Sequence, residues 1–365
     1  MVGGASLLKL QMKAMARCAA HTQPSFPAIC LSIVCILGSQ SGYARDYEYY
    51  LLSNVKARGL AMGGAVTAVE DDLGAIGYNP AAFFLYKTKR DGAFGLYFNT
   101  TGALIGGLNH NEIFEGRGKS GDDLLTGFSM LVKGITFSTE SWDFGLLLGE
   151  QSLELPDEYV PRTVSSVTGF RQNHSHSFVA SLKLASKVSV GGTISHVMGS
   201  DRIQPSDFED GFSLSYGILL QPESRLRVGV SYMNLPDSLR QYRTRIERLV
   251  DEAINVGVSY QPFDGTLLSI DVRNLSEESM EASREAHFGV EQIFMSHFAL
   301  RAGFFSQADG VNIFSGGIGL FDWNGVFNSE SVFNHRNFVL NYTFVYKQHE
   351  FDNQRIHFLT ALLRI

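Results

Sequence analysis

The chain has 365 residues, with 30 basic and 37 acidic side chains and a net charge of −7. That acidic balance argues against nucleic acid as a partner, because phosphate binding needs a basic footprint. A mean hydropathy near zero is too low for a helical membrane protein and suits a barrel in which apolar and wet positions cancel.

The first 44 residues carry the only continuous apolar run. Lys9, Lys13 and Arg17 precede an apolar core from Ala28 to Leu37, followed by Gly42-Tyr43-Ala44. A basic start, a short apolar run and a small-residue cleavage site describe a secretory signal peptide, and the run is too short to span a bilayer as a helix. We expect cleavage after Ala44, with Met1, Met12 or Met15 as the start. All three cysteines (Cys18, Cys30, Cys35) lie in this leader, so the exported chain would have no disulfide or thiolate metal site. Val34 precedes Cys35 where a lipoprotein needs a small residue, which argues against lipidation there. Without its three leader cations the chain keeps 27 basic against 37 acidic residues, a balance of −10.

Residues 45–90 lack steady alternation. Gly63-Gly64 permits a tight backbone turn. Asn79 before Pro80 reads as a helix N-cap followed by proline at the first helical position. Asp71-Asp72 reads as a solvated helix-capping loop, a cation site or an anchor for lumen arginines. The segment is too small to bury a core of its own, so we read it as a plug of loops and short helical turns packed inside a barrel.

From 91 to 365 one pattern repeats. Phe94, Leu96 and Phe98 alternate with Ala93, Gly95 and Tyr97; Trp142, Phe144, Leu146 and Leu148 with Asp143, Gly145, Leu147 and Gly149. Phe212, Leu214, Tyr216, Ile218 and Leu220 alternate with Gly211, Ser213, Ser215 and Gly217. A period of two gives a strand one greasy and one wetter face. The alternation predicts 14 strands, near 91–101, 123–138, 141–151, 170–184, 187–198, 208–220, 225–235, 250–260, 265–274, 284–294, 297–307, 311–322, 335–348 and 354–365. Short connections near Thr139, Ser186, Gln221–Ser224, Pro262–Asp264 and Met295–Ser296 alternate with longer polar ones, as periplasmic turns do with extracellular loops. The connection at 322–336 breaks the rule, either as an insertion or as an extra hairpin. In lipid every backbone polar group needs a partner, so with no spanning helix the apolar faces demand closure. The expected fold is therefore all-β: a transmembrane antiparallel barrel with an N-terminal plug, divided as signal peptide 1–44, plug 45–90 and barrel 91–365. A soluble sandwich with the same alternation is the competing architecture.

Arg301 lies opposite Phe298, Leu300 and Phe304 and should point into the lumen. There it would bind a ligand carboxylate, or pair with Glu291 across the hairpin at Ser296. Arg227 and Arg273 are also inward by phase and are further ligand-binding candidates, but their places near strand ends suggest a solvated rim. His174 and His176 share a strand face, as metal ligands can, with no third ligand evident nearby. No phosphate loop, GxSxG or HExxH occurs, so neither an enzyme nor a cofactor is implied.

The stretch RGLAMGGAVTAVEDDLGAIGYNPA resembles the N-terminal signature of the outer-membrane long-chain fatty-acid transporter superfamily (FadL type), whose relatives include aromatic-hydrocarbon channels and PorV-like proteins of a secretion system. The shared elements are the Gly63-Gly64 turn, the pair Asp71-Asp72 and the triplet Asn79-Pro80-Ala81. LRVGVSYMNLP and HFGVEQIFMSHFALRAGFF look alike too. The resemblance implies a 14-stranded barrel in the bacterial outer membrane, with the N-terminal segment as a hatch. Gly63, Gly64, Asp71, Asp72, Asn79, Pro80 and Ala81 would then have hatch or gating roles. It implies passive uptake of long-chain fatty acids or other hydrophobic small molecules, with outer-membrane lipid and that ligand as partners. The alternative is an adaptor barrel that binds a secretion or envelope protein.

Overall fold

The computed structural model describes residues 47–50, 55–83, 94–99, 131–151, 174–200, 208–234, 252–275, 284–295, 297–306, 312–321, 338–348 and 353–364. All belong to one compact unit, Tyr47–Ile365. The leader and the 322–336 connection lie outside the described residues.

Strand β1 (Tyr47–Tyr50) and a short helix α1 (Ala57–Ala61) come first, then 3-10 turns at Leu73–Gly77 and Pro80–Ala82. Fourteen strands follow: β2 (Phe94–Asn99), β3 (Val132–Ser138), β4 (Trp142–Gln151), β5 (His174–Ala185), β6 (Val188–Ser200), β7 (Phe208–Glu223) and β8 (Leu226–Asn234), then β9 (Glu252–Tyr260), β10 (Thr266–Arg273), β11 (Glu285–Phe294), β12 (Phe298–Ser306), β13 (Asn312–Phe321), β14 (Phe338–Gln348) and β15 (Asn353–Arg364). Each of the 14 predicted segments overlaps one of them. Neighbours pair antiparallel in chain order, and β15 returns to β2, so the sheet closes. Closure leaves no edge along which backbone groups would lack partners.

The two faces differ in chemistry as the alternation predicts. On β7, Phe212 and Tyr216 are 68% and 57% exposed, while Ser213 and Ser215 between them are buried. An apolar outside over a polar inside suits a cylinder set in hydrocarbon. Aromatic rows reinforce it: Phe137, Phe144 and Phe178 stack outward across β3, β4 and β5 with ring centroids 6.3 Å apart at each step. Among the described residues no helix is long and apolar enough to cross a membrane.

Two features were not legible. Strand β1 pairs in parallel with β15, Tyr47 opposite Arg355 and Tyr50 opposite Phe358, whereas β2 meets β15 over only three pairs, Leu362 to Arg364. On β4 the register shifts between Leu147 and Glu150, with Gly149 at φ 54°, and this bulge turns Glu150 toward the interior.

Candidate functional site

The segment 55–83 bonds to side chains of β6, β9, β10, β11, β13 and β14. Its backbone is held by short polar side chains of the wall. Thr343 on β14 donates to the Ala57 carbonyl at 2.9 Å, Ser259 on β9 to Ala68 at 2.8 Å, and Ser189 on β6 to Ala81 at 2.8 Å. Ser315 on β13 donates to the Ala61 carbonyl at 3.2 Å and accepts from the Gly63 amide at 3.0 Å. Asp271 on β10 accepts from the Thr67 amide at 2.8 Å. A loop inside a bore would otherwise bury unpaired peptide groups, each a substantial cost.

Glycine makes the approach close enough. The Gly303 Cα faces the peptide between Met62 and Gly63, and Gly191 faces the Pro80–Ala81 peptide; a Cβ at either would overlap segment backbone. Gly63 and Gly64 themselves sit at φ 63° and 74°, a left-handed turn suited to glycine.

Asn79 is fully buried. Its Oδ1 accepts from the Ala81 amide at 3.0 Å, and Pro80 opens the 3-10 turn, so the predicted cap is present on a tighter helix. Its Nδ2 donates to the Thr67 carbonyl at 2.8 Å and the Ile218 carbonyl of β7 at 3.3 Å, tying two stretches of the segment to the wall. Below it Phe83, Leu73 and Ile76 join Tyr97, Leu147, Val179 and Leu219 of the wall in one apolar cluster.

The charges form a second anchor. Glu291 accepts two hydrogen bonds from Arg58 of the segment, at 2.6 and 2.9 Å, and one from the Arg301 Nε at 2.6 Å. Glu291 and Arg301 are register partners on β11 and β12, the pairing foreseen across that hairpin. Arg301 also donates to Asn341 at 2.9 Å and lies over the Phe321 ring. Arg58 reaches the Glu70 carbonyl at 3.1 Å and Asp71 at 3.3 Å.

Arg273 is not on a solvated rim, and Arg227 is only half-buried. Arg227 pairs with Glu70 at 3.0 Å. Arg273 is buried, donates to the Gly64 carbonyl and covers the Tyr78 ring. Phase alone could not show that residues of the segment reach these strand ends and bury Arg273. All three candidate arginines thus contact the segment or its partner Glu291.

Asp71 and Asp72 line a small cleft of about 40 Å³, with Tyr97, Arg301, Phe321 and Asn341 of the wall. His176 lies opposite His196 on β6 and its Nδ1 accepts from the Gly149 amide at 3.2 Å. Among the described residues no group of three or more potential metal ligands occurs.

No family model and no curated protein matches the sequence. Among solved structures the chain is similar to the Ralstonia pickettii toluene transporter TbuX, at 11% identity over 86% of this chain and 98% of that one, with a TM-score of 0.47. It is similar to the Pseudomonas putida toluene transporter TodX at 12% identity, 84% and 96% coverage and a TM-score of 0.45. A Rhodopseudomonas blastica porin triple mutant superposes at 8% identity, 64% and 78% coverage and a TM-score of 0.35.

Several residues of the site escaped sequence reading. Asp271 and His287 are inward by phase and charged or polar, which was the available signal. Their partners, Thr67 and Gly63, lie more than two hundred residues away in the chain. Lys133 and Glu150, buried together at 2.7 Å, were hidden by the bulge on β4.

Proposed function

We propose that the chain is a FadL-type channel of the bacterial outer membrane through which hydrophobic small molecules, long-chain fatty acids among them, pass by diffusion, with segment 45–90 as its hatch. The observation that carries the reading is the seating of the signature residues. Gly63-Gly64 and Asn79-Pro80-Ala81 are among the points at which the wall holds the segment. The apolar outer face supports a membrane setting, and a leader with the pattern of a signal peptide supports export to the outer membrane. No nucleotide site is visible in the sequence, which fits passage down a gradient.

Extraction of the purified protein with organic solvent, followed by mass spectrometry, should recover acyl or hydrocarbon ligands. Deletion of the gene should slow uptake of a labelled fatty acid or monoaromatic compound, and the wild-type gene should restore it. An empty extract together with unchanged uptake of both compound classes would sink the reading.

A second reading has one observation in its favour. The inner face is rich in serine, threonine and charged groups, many of them bound to the segment. A bore so lined and filled suits an adaptor whose loops hold a secreted or envelope protein. Cross-linking in intact cells distinguishes the two: a stoichiometric protein partner with no uptake defect identifies the adaptor.

A further inference from the structure

We propose that the slot over Gly145 on β4, filled here by the Phe83 ring, is a binding site for an uncharged, ring-sized apolar solute. The solute turns Phe83 out and loosens the turn at its foot, while residues 57–68 stay mounted. The inference rests on the channel reading and deepens it, by naming the part of the segment that yields and what it yields to.

The two halves of the segment are held by different strands and different forces. Residues 57–68 are held from β9 to β14 by polar bonds. Thr343, Ser315, Asp271 and Ser259 bond to their backbone, Arg58 pairs with Glu291, and Arg273 donates to the Gly64 carbonyl. An apolar solute offers nothing that competes with these bonds. Residues 73–83 turn instead to Tyr97 of β2, Leu147 of β4, Val179 of β5 and Leu219 of β7, against which Leu73, Ile76 and Phe83 pack. Contacts between carbon surfaces are non-directional, so another apolar body of the right size can take the place of one partner.

Phe83 is the side chain in that half best shaped to be replaced. It is 1% exposed. A Cβ on Gly145 would stand 2.7 Å from the Phe83 Cζ and 2.9 Å from the Val179 Cγ1, so the ring tip rests on bare strand backbone. Phe83 also closes the 3-10 turn in extended backbone. Its ring can therefore swing without unmaking the cap at Asn79. The polar groups nearest along the wall exclude a charged headgroup. Thr136, opposite Gly145, donates to the Gly95 carbonyl at 3.4 Å. Asp143 and Glu150 of the same strand are buried, and Asp143 accepts from Ser138. Lys133 is committed to the Gly149 carbonyl at 2.8 Å and to Glu150 at 2.7 Å. A carboxylate entering here would meet two acids and a cation already engaged, and burying it unpaired is costly. An uncharged ring meets no such cost.

Hydrogen–deuterium exchange on the full chain in lipid vesicles tests this, with toluene and dodecanoate as probes. The Asp71 and Phe83 amides bond to the Ala82 and Pro80 carbonyls at the foot of the ring. Toluene should speed their exchange about threefold or more. The Gly63 and Thr67 amides, held by Ser315 and Asp271, should not change. Dodecanoate should move neither pair. In Phe83→Ala the first pair should exchange about tenfold faster without a probe, and toluene should slow it by refilling the slot. Gly145→Val evicts the ring with its own methyl groups, so the first pair should be fast at once and toluene should change nothing. A wild type unmoved by toluene makes the slot an ordinary part of the core and overturns the proposal. An equal response to dodecanoate, or a wild-type response in Gly145→Val, overturns it too. If either variant fails to insert, the two probes on the wild type still decide. Exchange needs no transport: a chain that responds here but shows no uptake defect on gene deletion keeps the slot and loses the channel.

Discussion

Glu291 accepts from two guanidinium groups, one on the segment and one on the wall. Removing it leaves two buried cations without their shared partner, so Glu291→Ala should cost about 3–5 kcal/mol of stability. The loss should fall mainly on the segment. Proteolysis of vesicle-bound protein should cut within residues 55–83 at protease levels that leave the wild type intact. An Arg301→Lys chain keeps the charge but loses the fork that reaches Glu291 and Asn341 together, and should show a milder form of the same defect. Asn79→Ala removes a cap and two bonds to carbonyls, for a cost of about 1–2 kcal/mol each. Faster exchange of the Ala81 amide would register it.

Between the helical turns and the strands, contact is set by what glycine leaves out. Gly303 and Gly191 face the segment, whereas Gly192 and Gly316 meet nothing closer than ordinary contact. Gly303→Val or Gly191→Val should therefore unseat the segment and raise ion conductance in planar bilayers. Gly192→Val and Gly316→Val should conduct as the wild type does. Equal conductance in all four would mean that the wall does not shape the fit. The strands themselves were legible because lipid and lumen impose opposite chemistry on alternate positions, and five consecutive outward residues of β7 display it. Asn79-Pro80 was legible because a cap acts locally, and Arg301–Glu291 because a tight hairpin fixes register. Arg227, Arg273 and His287 were legible only as inward-facing. Their partners belong to a segment whose depth in the bore no local pattern records. Four residues of YEYY carry no sign of which edge they will join.

For the molecule as a whole, the segment and the cylinder are separable in principle, since the wall's own ladder closes from β2 to β15 without residues 55–83. A chain lacking residues 55–83 but keeping β1 on β15 should insert into outer-membrane vesicles and leak small ions. Heat-modifiable gel migration reports the insertion, and bilayer current reports the leak. Failure to insert would make the segment a strut required for assembly and not a hatch. A cylinder this polar within also predicts that the truncated bore fills with water, so its conductance should be ohmic and unselective for uncharged solutes below the bore diameter.

Strand β1 runs beside β15, so the earliest described stretch borders the latest. Until the final strand is laid down, Tyr47–Tyr50 has nowhere to go. Pairing of these two stretches must therefore come after the last strand is in place. A bulky fusion just ahead of Tyr47 would wedge a seam instead of trailing in water, and its harm would appear as slow maturation and not as poor export.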